Sequence, residues 1–382
     1  MTKTLASLAA ALLLTAPAFA QTTPAADAGI LARFAPDEAK IATVSRALWD
    51  FAELGYLETR SSELLQNELK AAGFKVESGV AGIPTAFVAT YGSGGPVIGV
   101  LAEFDALPGI NQDASPERKP VDGKNAGHAC GHNLFGAGSM GAAISIKKWL
   151  EETKTPGTIR LYGTPAEEGG SGKVYMVRAG LFKDVDVALH WHPDDKNTAA
   201  AETTLANRSA KFRFSGVSAH AAAAPEQGRS ALDGVEAFNM MVNMMREHVP
   251  QDARIHYVIT KGGSAPNVVP DFAEVFYYVR HPSADGMKEI WARVEAAAKG
   301  AAMGTGTKVD WEVIHGNHPL LVNETLAKMV DGKLREVGGI AYTKEEEAFA
   351  KKIYASFDRP EAKLGDEKTI KPFEKSLSYG ST

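Results

Sequence analysis

The chain has one cysteine, Cys130, in 382 residues. No internal disulfide is therefore possible. Excess charge is also scarce. A net charge of −5 over this length is too mild to argue for nucleic acid or an acidic membrane surface as a partner. No stretch is apolar enough to span a bilayer, which needs ~20 apolar residues. Internal repeats and long low-complexity segments are absent as well.

What is present begins with an export-like segment. Lys3 supplies a positive start, Leu5 to Leu14 an apolar run, and Ala18-Phe19-Ala20 a small-residue cleavage site before Gln21. That layout predicts a signal peptide over residues 1–20 and a secreted or periplasmic protein. A free thiol is a liability in an oxidising compartment. Cys130 is thus expected to be either buried as a small apolar residue or tied up as a ligand.

The remaining length exceeds the usual single core, so about two domains are expected. Apolar residues fall at helical spacing from Asp37 to Ala72, where Gly73 ends the pattern. Strands are predicted over 85–91, 96–104, 158–163 and 185–191. They alternate with a small-residue-rich helix over 130–152 and a helix over 172–179. Such alternation predicts an α/β fold with a mostly parallel sheet. Near Asn207 the order becomes β-α-β-β-α-β, the pattern of a ferredoxin-like α+β module. The predicted organisation is an α/β domain formed by 29–206 and 317–382, interrupted by a lid module over 207–316.

Polar residues with ligand chemistry gather at the ends of the apolar segments. Glu103 and Asp105 close one predicted strand, and His128, Cys130 and His132 open the long helix. Glu167-Glu168 follow another strand, and His190-Trp191-His192 end the last. Sites in open α/β sheets form outside the carboxyl ends of parallel strands. Each group alone is weak: Glu-Glu pairs are usually solvated surface, and Asp105 could merely cap a turn. Together, thiolate, imidazole and carboxylate suit Zn, Mn or Co better than Ca or Mg.

Several ordered motifs carry a resemblance. Ala-Glu-Phe-Asp-Ala-Leu-Pro (102–108), Gly-His-Ala-Cys-Gly-His-Asn (127–133), Thr-Pro-Ala-Glu-Glu (164–168) and Leu-His-Trp-His-Pro (189–193) form the first set. Gly216 to Ala222 and Gly262 to Pro270 continue it. From about residue 30 onward the chain resembles the two-metal aminoacylase/carboxypeptidase family, in the branch with a ligating cysteine. The resemblance implies hydrolysis of the amide bond of N-acyl amino acids, p-aminobenzoyl-glutamate or similar conjugates among them. It implies two divalent ions, Zn or Mn with Co as an option, held by Cys130, His132, Glu168 and His190. His192 is a weaker candidate. By the same resemblance Glu167 is the general base, and Asp105 orients a ligand. His220 stabilises an oxyanion across a dimer, and Asn267 and Arg280 grip the substrate carboxylate. The expected partners are a second copy through the lid or a paralogous subunit.

Two departures accompany the likeness. A loop, Gly109 to Ala126, separates motifs that run almost together in relatives. The family also has a final metal-binding histidine near its C-terminus, and no matching residue precedes Thr382, so one metal is expected to be under-coordinated. His315 and His318 match positions where the lid returns to the core. Two other readings stay open at this point: a Cys130-nucleophile amidase, and an inactive or partner-dependent fragment of the same fold.

Overall fold

A computed structural model describes residues 32, 34–357 and 364–378. The export-like segment lies outside the described residues, as does the Tyr379–Thr382 end.

The helical periodicity that starts at Asp37 resolves into two helices, α1 (Glu38–Phe51) and α2 (Thr59–Ala71). Between them the chain breaks, with Ala52 and Tyr56 in left-handed conformation. The first sheet follows: β1 (Lys75–Ser78), β2 (Phe87–Ser93) and β3 (Val97–Ala102), then the two-residue strands β4 (Leu107–Pro108) and β5 (Ala126–Gly127), which pair with each other. Helix α3 (His132–Thr153), strand β6 (Gly157–Gly163), helix α4 (Gly172–Arg178) and strand β7 (Val187–Leu189) complete this unit.

The sheet order is β1-β2-β6-β3-β7. It is parallel across β6-β3-β7 and antiparallel across β1-β2-β6. The predicted parallel arrangement therefore holds in the half that carries the ligand-bearing strand ends. An antiparallel hairpin, whose first strand the sequence pattern did not reveal, closes the other edge. Register puts Ala102 beside Gly163 and Val100 beside Leu189. Three carboxyl ends thus open at one place.

Helix α3 covers this sheet closely because its packed face is small. A Cβ on Gly136 would stand 3.0 Å from the Glu103 carbonyl oxygen, so a larger residue would push the helix off the strand end. Leu48, Leu65, Phe87, Phe104, Ala137, Met140 and Leu161 fill the space between helices and sheet. Burying each large side chain contributes about 1.5–3 kcal/mol.

After β8 (Ala201–Thr203), a second sheet begins with β9 (Ala206–Ser215). Helix α5 (Ala231–Met245), strands β10 (Arg254–Lys261) and β11 (Phe272–His281), helix α6 (Ala284–Thr305) and strand β12 (Lys308–Asn317) follow. All pairings are antiparallel, in the order β10-β11-β9-β12. That is the ferredoxin-like topology expected from the element order. Its own core is aromatic: Phe212, Phe214, Phe238, Tyr277 and Trp291 are buried together. Helix α7 (Glu324–Val337), helix α8 (Lys344–Ala355) and a short strand β13 (Lys375–Leu377), paired in parallel with β8, end the described chain. Among the described residues no helix is long and apolar enough to cross a membrane.

Candidate metal centre and active site

Past Ala102, β3 runs into Glu103 and Asp105, and both side chains are buried. Asp105 serves two strand ends at once. Its Oδ1 accepts from His132 Nδ1 at 2.9 Å, and its Oδ2 accepts the Glu168 backbone N–H at 2.8 Å. A carboxylate on Nδ1 fixes the tautomer that leaves Nε2 as the ligating nitrogen. His132 Nε2 faces inward, 3.0 Å from Glu103 Oε2 and 3.9 Å from Glu167 Oε2.

The Glu167-Glu168 pair sits on a tight turn. Ala166 has φ 55° and ψ 44°, Glu168 departs from helical geometry at ψ 80°, and Gly169 has φ 78°. Holding a non-glycine residue such as Ala166 in the left-handed region costs ~1–2 kcal/mol. The turn makes the two carboxylates diverge. Glu167 points toward His132, and Glu168 lies against the Cys130 thiol. Gly55 is required beneath this turn, because a Cβ there would meet Ala166 Cα and Cβ at 3.0 Å.

The ligand atoms gather into two groups that share His132. One contains Cys130, His132 and His192, and the other Glu103, His132 and Glu167; within each the atoms lie within 4.8 Å of one another. Cys130 Sγ is 3.4 Å from His192 Nε2. His190 stands at the margin of the second group, its Nε2 3.3 Å from Glu103 Oε1. Glu168 Oε1 is buried without a hydrogen-bond partner, and the buried Glu103 Oε2 and His132 Nε2 face only each other, at 3.0 Å. Buried acceptors left open in this way are costly unless a cation or water takes them up. The donor set and the open atoms together fit divalent transition-metal ions, which these residues would hold around His132.

Electrostatics follow from this crowding. Burial, then the neighbouring Glu103 and Glu168 charges, push Glu167 up to about 7 despite Lys173 and His132. Burial raises Glu168 as well, against the pull of Cys130. For the Cys130 thiol, the His132 contact lowers the pKa, but burial and Glu168 outweigh it and leave it raised. Burial opposes charge on His132, yet Asp105, Cys130 and Glu103 win and its pKa is raised. Glu103 is also opposed by burial, but Lys173, His132 and His190 hold it well below the carboxylate range.

Of the residues named from the sequence, Cys130, His132 and Glu167 fall in these groups together with the weaker candidate His192, Asp105 and Glu168 border them, and His190 stays at the margin. Glu103 and Lys173 join them without having been assigned. Glu103 was legible as an acidic residue ending an apolar strand, whereas Lys173, whose ammonium pairs closely with Glu103, gave no signal.

The lid residues divide. Arg280 lies level with Asn207 and Asn317 across β11-β9-β12, and Ser171 Oγ donates to Asn317 Oδ1 at 2.9 Å. This end of the lid abuts the catalytic turn. The Arg280 guanidinium is half-buried with Nε unpartnered, and burial lowers its pKa. His220 and Asn267 occupy the opposite end, where His220 bridges Val268 and the Ala221 N–H donates to the Asn267 carbonyl. The run of β11 from Phe272 to Arg280 separates the two ends by about 27 Å at ~3.4 Å per residue. Asn267 and Arg280, expected to grip one carboxylate together, are thus held apart within a single chain.

Residues 99–355 match the model of peptidase family M20/M25/M40. The chain belongs to that family. It is 44% identical to a p-aminobenzoyl-glutamate hydrolase subunit of Escherichia coli (strain K12), over 84% of this chain and 67% of that protein. Its fold matches the aminobenzoyl-glutamate utilization protein of Klebsiella pneumoniae with a TM-score of 0.63 at 19% identity, covering 85% of this chain and 90% of the other. A dinuclear metal-binding M20 peptidase from Bacillus subtilis matches with a TM-score of 0.56 at 18% identity, over 80% and 81% of the two chains. The chain is thus a hydrolase of amide bonds, and its residues form groups able to hold metal ions.

Proposed function

We propose that this protein hydrolyses the amide of N-acyl amino acids, with p-aminobenzoyl-glutamate or a close conjugate as substrate. The single observation that carries this is the pair of ligand groups sharing His132 at three converging strand ends, with Glu167 beside them. Cys130, His132, Glu168 and His190 would hold two ions, Zn or Mn, with Glu103 and His192 close enough to join them. Such ions supply Lewis acidity that activates the attacking water and polarises the scissile carbonyl. Glu167, with a pKa near neutrality, accepts the proton of that water and delivers it to the departing nitrogen. Asp105 keeps His132 in the correct tautomer throughout. Arg280 offers a fork for the carboxylate of the amino-acid half.

His220 donates to the developing oxyanion from a second copy of the chain, and Asn267 arrives with it. The separation of about 27 Å along β11 supports this arrangement, because neither residue shares an end of the lid with Arg280. A homodimer through the lid follows. The E. coli relative is named as one of two kinds of hydrolase subunit, which leaves room for a paralogous partner. The catalytic unit is assigned to 29–206 with 317–382, and the lid to 207–316. Export with cleavage after Ala20 belongs to the same proposal, since Lys3, Leu5–Leu14 and Ala18-Phe19-Ala20 have that layout. Release of p-aminobenzoate from p-aminobenzoyl-glutamate, compared with acyl-aspartate and acyl-alanine analogues, tests the substrate. Equal rates on all three would contradict selectivity for the glutamate side chain.

A further inference from the structure

We propose that Glu58 is a positioning residue that holds the Glu167-Glu168 turn through the backbone of Ala166. Glu58 lies in the break between α1 and α2 with a fully buried side chain. Its Oε1 accepts the Ala166 N–H at 2.8 Å, and its Oε2 accepts Thr85 Oγ1 at 3.0 Å. Ala166 is the left-handed residue immediately before Glu167. Relaxing that one residue would swing the Glu167 carboxylate away from His132. The same segment grips its surroundings at three further points. Tyr56 OH donates to the Gly170 carbonyl at 2.6 Å, Leu54 bridges Ala106, and the Ala106 N–H donates to the Glu53 carbonyl at 2.8 Å. Residues 53–58 thus strap both the Asp105 turn and the Glu167 turn, fixing their separation. A carboxyl group is expensive to bury, and here each of its oxygens is taken up as an acceptor. Burial and the nearby Asp105 charge raise its pKa to about 7. The catalytic consequence rests on the assignment of Glu167 as base; the mechanical one does not.

Two readouts on the full chain separate these. Hydrogen exchange of the 164–171 amides reports the strap directly, and steady-state kinetics report its use. Glu58→Ala is expected to speed exchange at Ala166 and to lower kcat about tenfold or more, the effect of a misplaced base. KM and metal content should stay near wild type. Glu58→Gln, which keeps an oxygen acceptor for Ala166, should recover most of both. A folded Glu58→Ala protein with kcat within about twofold of wild type, about the scatter expected of an unperturbed site, would overturn the proposal. So would a Gln variant as impaired as the Ala variant, or loss of metal in step with loss of kcat. If Glu58→Ala does not fold, Thr85→Val decides. Freeing one carboxylate oxygen should raise Ala166 exchange and lower kcat in the same direction, and unchanged values would overturn the strap. If wild-type protein shows no amidase activity while Glu58 still governs Ala166 exchange, the reaction assigned above fails and the strap stands.

Discussion

His132 Nδ1 and Asp105 Oδ1 meet at 2.9 Å, and neither side chain is accessible to water. The same aspartate accepts the Glu168 N–H through its other oxygen, so one carboxylate fixes both the His132 ring and the Glu168 backbone. Asp105→Asn keeps the shape but offers an NH2 where an acceptor is needed. It should weaken metal affinity by ~10–100-fold, as expected when a partner that orients a metal ligand is lost. Calorimetric titration of metal into the stripped variant reads this, and an unchanged affinity would show that His132 is oriented by packing alone.

Glu167 and Glu168 are neighbours with different surroundings, and their amide variants should separate. Glu167→Gln should retain metal and lose turnover by ~10²-fold or more, because it removes the proton acceptor. Glu168→Gln should lose metal. Metal analysis beside kcat on the two purified variants makes the comparison, and exchanged phenotypes would reverse the two roles.

The proposal that a second copy completes the site opens a mixing test. His220→Ala should lower kcat, by about 3 kcal/mol of transition-state stabilisation if it supplies an oxyanion donor, without loss of metal. Mixed in equal amounts with Glu167→Gln and allowed to exchange subunits, it should regain about a quarter of wild-type sites, as a symmetric dimer requires. No gain, with exchange confirmed by mass spectrometry, would place His220 and Glu167 in the same chain's site.

The buried Glu58 predicts a pH dependence of stability. Burial first, then the Asp105 charge, raise its pKa from 4.5 to about 7 in the folded protein. The folded state therefore keeps this proton in a range where the unfolded chain has lost it. Its contribution, on the order of 3 kcal/mol, is present below pH 4.5 and is lost as pH rises through 7. In metal-free protein the Tm difference, Glu58→Gln minus wild type, should grow in favour of the variant between pH 5 and 8. A difference that shrinks over that range would mean that Glu58 is stabilised as the anion. His128, lowered to about 4 by burial first, titrates with opposite sign in both proteins and cancels in the difference.

Legibility from the sequence followed the physics of each element. The lid is readable because its strands and helices are each amphipathic and local in order, so the sequence pattern itself spells βαββαβ. Cys130, His132 and the Glu167-Glu168 pair were readable because ligand chemistry at strand ends is rare without a purpose. Hidden were features set by tertiary contact. The left-handed Ala52 and Tyr56 split one helical period into two helices. Glu58 looks in sequence like one more surface carboxylate and is instead fully buried. The hydrophobic pattern of β11 cannot reveal that Asn267 and Arg280 lie at opposite ends of the lid.

Metal held around His132 is proposed to drive amide hydrolysis, and chelation tests this. Purified protein is assayed on p-aminobenzoyl-glutamate, stripped with excess chelator, assayed again, and then reloaded with Zn or Mn while metal per chain is measured. Turnover should disappear with the metal and return with it. Full turnover in excess chelator would contradict the account and return Cys130 to the role of nucleophile.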